Sequence, residues 1–432
     1  MLGFDFGTTN SSVARFDEDG NIDLLQVPAK GGVTASYRSI LFLAQEKLGA
    51  RTQVRSFTGP SAIEHYLAAE HKGRLIQSLK SYLPSRSLVS TEVYGRRYKL
   101  EDLIARILSD IRIHAERQFG QPVRSALVGR PVRFVGAESE EDDAFAVSRL
   151  RAALHLAGFE SVDFELEPVA AAYHYECTLD HDELILIGDF GGGTSDFSLL
   201  HVGPSVRGRG RAEKDLLGNG GLGLAGDTFD ARIVRRLVSP HLGADTLERS
   251  LDKTLTAVPQ WIYTRLEHWH HLSFLQTRPV IELLKGARVR AFEPEKIQAL
   301  LDVIEEDLGY QLHQAVQRLK IDLSTTTEAE FRFTDGSVDI RARVTRDDFE
   351  GWIREDLLAI EGCVDDLLRS SGMDRRDVDR VFLTGGSSLV PAVRRIFSSR
   401  FGEDKVRTGG EFTSVARGLA LRAGELSSLA IV

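Results

Sequence analysis

Cysteine is nearly missing from this chain: 432 residues carry only Cys177 and Cys363. Neither a disulfide framework nor a four-cysteine metal site can be assembled from two. No apolar run is long enough to span a membrane, and a strand-like segment starting at Leu2 leaves no room for a signal peptide, so a cytoplasmic protein is expected. An excess of cations is missing as well. The formal net charge is −9, whereas non-specific nucleic-acid binding needs a basic surface. Neither nucleic acid nor membrane is therefore expected as a partner. What remains is an ordinary globular balance, 42% hydrophobic and 27% charged. The length implies two or more lobes.

The most informative stretch is ILIGDFGGGTSDFSLL, from Ile185 to Leu200. Leu184 to Ile187 is a short branched apolar run, the pattern of a buried strand, and it ends at Asp189. Gly191, Gly192 and Gly193 can turn with positive φ and bring their amides close to a guest. Successive amides pointing into one concavity form an anion nest, for which phosphate is the natural occupant. Thr194, Ser195 and Asp196 add two hydroxyls and a second carboxylate. Carboxylates beside a phosphate call for a hard cation such as magnesium between them. Three glycines are also a common turn filler, and a second copy decides between the readings. Leu2-Gly3-Phe4-Asp5-Phe6-Gly7-Thr8-Thr9-Asn10 repeats the strand, the Asp-Phe-Gly and the small hydroxylated tip. Both copies continue into an alternating strand, Ser12 to Phe16 and Phe197 to Val202. The pair implies an internal duplication, with two facing hairpins able to grip a polyphosphate from both sides.

Around these hairpins the chain alternates strands and helices. Strand-like runs fill Gln26 to Ala44, and helical periodicity covers Ser61 to Leu67 and reaches Leu75 to Pro84. Leu100 to Phe119 is an amphipathic helix on Leu103, Ile104, Ile107, Leu108 and Ile111. A buried strand at Ser125 to Val132 precedes the acidic cluster Glu138 to Asp143, which suits the positive end of a helix from Ala144 to Ala157. Val206 to Ala212 alternates arginine and glycine as a turn. Gly218 to Asp227 is glycine-rich but lacks the preceding strand and following acid of a dinucleotide fingerprint. From Ala244 to Gly309, Leu251, Leu255, Val258, Ile262, Leu266 and Trp269 outline one apolar helix face, which Pro259 should kink or divide. His268 and His271 share a helix face there, a zinc pair without a further ligand in view. A hairpin around Asp335-Gly336, a helix from Trp352 to Leu368, a buried strand Arg380 to Thr384 ending in glycines, a helix opening at Pro391 and a helix Ser414 to Leu426 complete the chain.

Together, DFGTTNSS and GDFGGGTSDFSLL resemble the nucleotide-binding domain of the seventy-kilodalton heat-shock chaperones of the DnaK type, in the actin and sugar-kinase ATPase superfamily. The short build is most similar to the truncated members of the YegD type. The resemblance implies an α/β, actin-like ATPase fold with two duplicated lobes and a central nucleotide cleft. Lobe I would be 1–183, lobe II 184–379, and 380–432 an adenosine-binding strand-turn-helix segment. Neither the family's leucine-aspartate linker nor its peptide-binding domain is expected.

The implied cofactors are ATP or ADP with Mg2+, held hydrated by Asp5 and Asp189. Gly7, Thr8, Thr9, Asn10, Gly191, Gly192, Gly193 and Thr194 would cradle phosphates. Lys80 fits the lysine that reaches the γ-phosphate, although a solvated surface lysine would read the same way. Glu167 matches the family's glutamate-proline-x-alanine-alanine-alanine segment and would reach the magnesium and its waters; it also reads as a helix-start carboxylate. Glu167, Asp196 and Thr194 are the candidates to orient the attacking water. Gly226 and Asp227 would lie near the ribose and phosphates, and Gln317, Lys320 and Ser324 at the adenosine. Gly385, Gly386 and Ser387 would let adenine approach the backbone. Three positions depart from the family: Ile321 and Leu389 replace arginines, and Phe412 an aspartate.

Slow ATP hydrolysis in a chaperone-like or regulatory role follows from the resemblance. A sugar-type kinase and a nucleotide-binding module without turnover are the alternatives. The segment from Ala244 to Gly309 carries Trp261 and Trp269 and is expected either to dock a protein partner or to pack its own small core.

Overall fold

Strand and helix boundaries come from a computed structural model that describes residues 1–17, 19–29, 32–48, 51–68, 73–209, 213–249, 255–336, 338–408 and 414–429. Five strands build the first sheet: β1 (Leu2–Asp5), β2 (Asn10–Phe16), β3 (Ile22–Leu24), β4 (Ser125–Arg130) and β5 (Ser161–Leu166), with Tyr37–Arg38 added on β2. Five more build the second: β6 (Glu183–Phe190), β7 (Ser195–Val202), β8 (Leu216–Leu222), β9 (Arg380–Thr384) and β10 (Val406–Thr408). The strand orders are β3-β2-β1-β4-β5 and β8-β7-β6-β9-β10. In both, the first three strands pair antiparallel and the last two join in parallel. The duplication inferred from the two Asp-Phe-Gly tips is thus a duplication of topology. Central strands of such sheets are covered on both faces, which is why β6 reads as one apolar run with Ile185, Leu186 and Ile187 all buried.

The chain divides into two compact units, residues 1–225 with 360–388 and 394–432, and residues 226–359 with 389–393. Both sheets belong to the first. Its helices follow the sequence pattern closely: Leu100–Phe119 buries the five apolar residues that define its stripe and ends at Gly120, left-handed at φ 69°. The last helix, Ser414–Leu429, lies against β1 and against the helix Glu167–Glu176, where Leu127, Ala170, Val415, Leu419 and Ala423 form a common core. Two glycines permit that approach: a Cβ on Gly3 would overlap the backbone of Ala420, and one on Gly418 the carbonyl of Ala170.

Several sequence expectations are corrected. Leu75 to Pro84 is no continuation of a helix: Arg74–Gln77 is a strand paired with Ile40–Leu48, and Leu79–Tyr82 is a short 3-10 turn. Ser78 between them takes a left-handed φ of 56°, which no helix tolerates in its interior. The glycine-rich Gly218 to Asp227 supplies strand β8 and then a helix from Gly226. Glycine suits this edge strand because a Cβ at Gly218 would press on Leu367 and Ser371, and one at Gly220 on Cys363. Arginine and glycine at 206–209 belong to a short helix, Pro204–Arg209, rather than a turn.

In the second unit the helix expected from 251 to 269 is shorter. It begins at Gln260 directly after Pro259 and ends at Leu266, followed by the 3-10 turn Trp269–Phe274 and the helices Arg278–Arg290 and Pro294–Glu305. Leu251 lies outside the described residues. The helix Gly309–Thr325 follows, and the hairpin Glu328–Asp335 with Val338–Thr345 forms as the sequence predicts. The helix expected from Trp352 to Leu368 forms as Arg354–Ser370, preceded by a separate short helix, Arg346–Trp352, capped by Thr345 and Asp348. Among the described residues no helix is long and apolar enough to cross a membrane.

Candidate phosphate and cation site

Each sheet carries an aspartate at or next to the end of its first strand. Asp5 closes β1, and Asp189 stands one residue from the end of β6, paired across to Asp196 on β7 and alongside Thr384 on β9. Thr384 Oγ1 donates to Asp189 Oδ1 at 3.0 Å. Two further elements of the same unit bring Lys80, from the 3-10 turn, and Glu167, the first residue of its helix, to the same place. Lys80 Nζ lies 2.6 Å from Glu167 Oε1, with side chains only 7% and 11% exposed.

Four carboxylates and one ammonium make an unbalanced cluster, with Lys80, Glu167 and Asp196 buried and Asp5 and Asp189 half-buried. Desolvation first, then Glu167, push Asp5 up to about 8, and Asp189 up to about 6. Desolvation followed by the charges of Asp189 and Glu167 pushes Asp196 up to about 8. Burial opposes the charge on Lys80, but Glu167 and then Asp5 carry its ammonium above the ordinary lysine value. Such a site gains most from an added cation. Among the described residues no three His, Cys, Asp or Glu side chains stand close enough to ligate a bare ion directly. A cation that keeps its water shell, as magnesium does, would offset the charge of this cluster.

The hairpin tips lie beside this cluster. In the first, Thr9 accepts at its carbonyl from the Ser39 amide at 2.9 Å, and Asn10 Oδ1 accepts from Arg38 at 3.4 Å. Gly7 has no room for a side chain, since a Cβ would overlap the carbonyl of Asn10. In the second tip, the Gly191 amide donates to the Thr194 carbonyl at 2.9 Å, closing a tight turn. Positive φ is not what these glycines provide: neither Gly191 nor Gly193 is left-handed. They leave space, because a Cβ on Gly193 would meet nothing nearer than Ser81 Oγ at 4.0 Å. The third glycine turn packs onto this tip. Gly385 is left-handed at φ 80° and would overlap the Phe190 carbonyl if it carried a Cβ, and Ser387 Oγ reaches the Gly191 carbonyl at 3.5 Å, while Gly386 is exposed.

Asp5, Lys80, Glu167, Asp189 and Asp196 are thus brought together, with Gly191, Gly193, Thr194, Gly385 and Ser387 at the second tip. Sequence reasoning passed over Thr384 and Ser81. Thr384 could have been found as the last strand residue before Gly385-Gly386; Ser81 carried no signal beyond its place after Lys80. The residues expected around adenosine in the second unit make contacts of their own. Gly226 opens the helix Gly226–Ile233 with Asp227 in its first turn. Lys320 Nζ lies 2.6 Å from Asp230 Oδ1 and donates to the Gly226 carbonyl at 3.2 Å; Ser324 Oγ donates to the Lys320 carbonyl at 2.8 Å. Gln317 is half-buried. Ile321 and Leu389 are 61% and 50% exposed, and Phe412 lies outside the described residues. His268 and His271 sit ring to ring at 5.3 Å, without a third ligating residue among those described.

The description Hsp70 protein belongs to the family model that matches residues 1–257 and 292–431. The chain is a member of the Hsp70 family. Its duplicated mixed α/β sheets are those of an actin-like ATPase fold, as in the Hsp70 nucleotide-binding domain. Similar curated proteins include the chaperone protein DnaK of Thermotoga petrophila, of Thermotoga sp. strain RQ2 and of Thermotoga maritima, each 22% identical over 435 aligned residues. The alignments cover 99% of this Hsp70-family chain and 59% of each relative, so it spans well under two thirds of their length. Residues 258–291 fall outside the family match, inside the segment from Ala244 to Gly309.

Proposed function

We propose that this Hsp70-family chain binds ATP or ADP with hydrated Mg2+ and hydrolyses ATP slowly, in a chaperone-like role. The observation that carries the reading is the cluster of four carboxylates, two buried and two half-buried, around Lys80 beside the tips of two duplicated hairpins. Those carboxylates fit the ion, which when bound would offset phosphate charge. Asp5 and Asp189 are assigned to its water shell. Gly7, Thr8, Thr9, Asn10 and the Gly191, Gly192 and Gly193 amides hold phosphate oxygens. Lys80, kept protonated and oriented by Glu167, faces the transferred phosphoryl group. A water attacks the γ-phosphorus as its bond to the bridging oxygen breaks. Thr194 and Asp196 orient that water, and the Asp196 carboxylate accepts its proton. The adenosine side is given to Gly226, Asp227, Gln317, Lys320, Ser324, Gly385, Gly386 and Ser387, as the resemblance of their segments implies.

A cytoplasmic location and a protein partner on the 244–309 segment belong to the same proposal. Trp261 and Phe274, 45% and 49% exposed, support the partner. Calorimetric titration with magnesium and ATP, followed by phosphate release, tests the site. Bound ligand should stabilise the fold by about 2.7 kcal/mol at a hundredfold excess over Kd. A melting temperature unmoved by millimolar magnesium-ATP would sink the reading.

A further inference from the structure

Lys80 sits on a turn too short to hold itself. Leu79–Tyr82 is entered through the left-handed Ser78, and its local bonds are those from the Ser81 amide to the Ser78 carbonyl at 3.1 Å and from the Leu83 amide to the Lys80 carbonyl at 3.2 Å. The chain that follows is gripped from outside. Arg149, on the helix Glu140–Leu156, is 6% exposed. Its Nη1 donates to the carbonyls of Tyr82 at 3.4 Å, Leu83 at 3.3 Å and Ser85 at 3.1 Å, and its Nη2 to that of Leu88 at 3.0 Å. Its Nε donates to Glu101 Oε1 at 2.5 Å, which fixes the guanidinium plane and balances its charge.

Four carbonyls of one seven-residue stretch, 82–88, thus converge on a single fork. Only arginine offers enough planar donors for that, and a lysine ammonium could satisfy only part of it. A guanidinium buried merely for packing would need its charge balanced; it would not need both terminal nitrogens aimed at the segment that follows the phosphate-facing lysine.

We propose that Arg149 is a positioning residue for Lys80: it anchors 82–88 and thereby sets the ammonium opposite Glu167. The inference rests on the reading of Lys80 as the group facing the transferred phosphate. Arg149→Lys keeps the charge and loses the fork. Magnesium-ATP affinity should stay within about twofold, while single-turnover phosphate release falls about tenfold to a hundredfold, the cost of a misplaced reacting group. Placed on Lys80→Ala, Arg149→Lys should slow release no further. Independently of turnover, acylation of Lys80 by an amine reagent should rise about tenfold relative to Lys320, because local opening exposes one and not the other.

Equal slowing by Arg149→Lys with and without Lys80, or parallel changes in labelling of Lys80 and Lys320, would overturn the proposal. Glu101→Gln, which leaves the fork but loosens its orientation, should move both readouts the same way by less and serves if Arg149→Lys does not fold. Absence of ATP binding and release in the unsubstituted protein would refute the functional reading alone, and the labelling ratio would still decide the role of Arg149.

Discussion

Lys80 and Glu167 lie 87 positions apart in sequence and form a buried ion pair at 2.6 Å. Desolvation offsets most of what such a pair gains, but removing one partner strands the other at a cost of about 3–5 kcal/mol. Lys80→Ala should therefore lower the stability of the ligand-free protein by about 3 kcal/mol. Magnesium-ATP should still bind and phosphate release should be lost, because the lysine is assigned to the transferred group and not to the ion. Asp189→Ala should lose magnesium-dependent release together with the ion. Titration and release assays on both variants check the division; equal loss of affinity in the two would abolish it.

The carboxylates give the protein a pH dependence of definite sign. Asp196 is held at about 8 in the folded state against about 3.9 in an unfolded chain. A group with a raised folded value binds its proton more tightly when folded. The resulting stabilisation is complete below the unfolded value and is lost as pH rises toward 8. With a chelator present, Asp196→Asn should leave stability almost unchanged at pH 4 and raise it by at least about 1 kcal/mol at pH 8. Thermal melts across that range test this, and a gain confined to low pH would contradict the charge crowding inferred for the cluster.

Much of this was legible because the two hairpins announce themselves. Asp-Phe-Gly at the end of an apolar run is a local pattern, and its recurrence at Asp5 and Asp189 disclosed a duplication that the strand orders repeat. Lys80 and Glu167 could be placed by motif, yet their pairing could not, since nothing local relates residues on different elements. Arg149 left no trace in the sequence: an arginine within a helix reads as solvated, and only tertiary structure turns it toward carbonyls. The glycines of β8 were misread for the related reason that their use depends on what packs opposite, here Leu367 and Cys363.

Base selectivity should be weak. By the resemblance, Ile321 and Leu389 take the places of arginines, and both present exposed apolar surface. A cation stacked on a base at a partly exposed site contributes about 0.5–1 kcal/mol, and the resemblance implies that this contribution is missing at Ile321. ATP should bind with modest affinity, and GTP should compete within about tenfold, a gap of about 1.4 kcal/mol. Competition titrations decide it; strong preference for ATP would mean that other side chains recognise the base. Ile321→Arg should widen the gap.

Gly418 ties the fold to the site. The helix Ser414–Leu429 crosses the helix Glu167–Glu176 so closely that a Cβ on Gly418 would overlap the Ala170 carbonyl, which is backbone and cannot rotate away. Alanine is the better helix former by about 1 kcal/mol, so a purely local effect would stabilise. The clash acts the other way: overpacking a tight contact typically costs about 1–3 kcal/mol. Relief requires the two helices to separate, and Glu167 begins the one that moves. Gly418→Ala should therefore lower the melting temperature and also slow phosphate release, with Lys80 losing its aligned partner. Gly351→Ala is the matched control, on a helix with open space at the added methyl, and it should be neutral or mildly stabilising with release unchanged. A Gly418→Ala protein that loses stability but releases phosphate normally would show that Glu167 is placed by its own strand and turn rather than by this crossing.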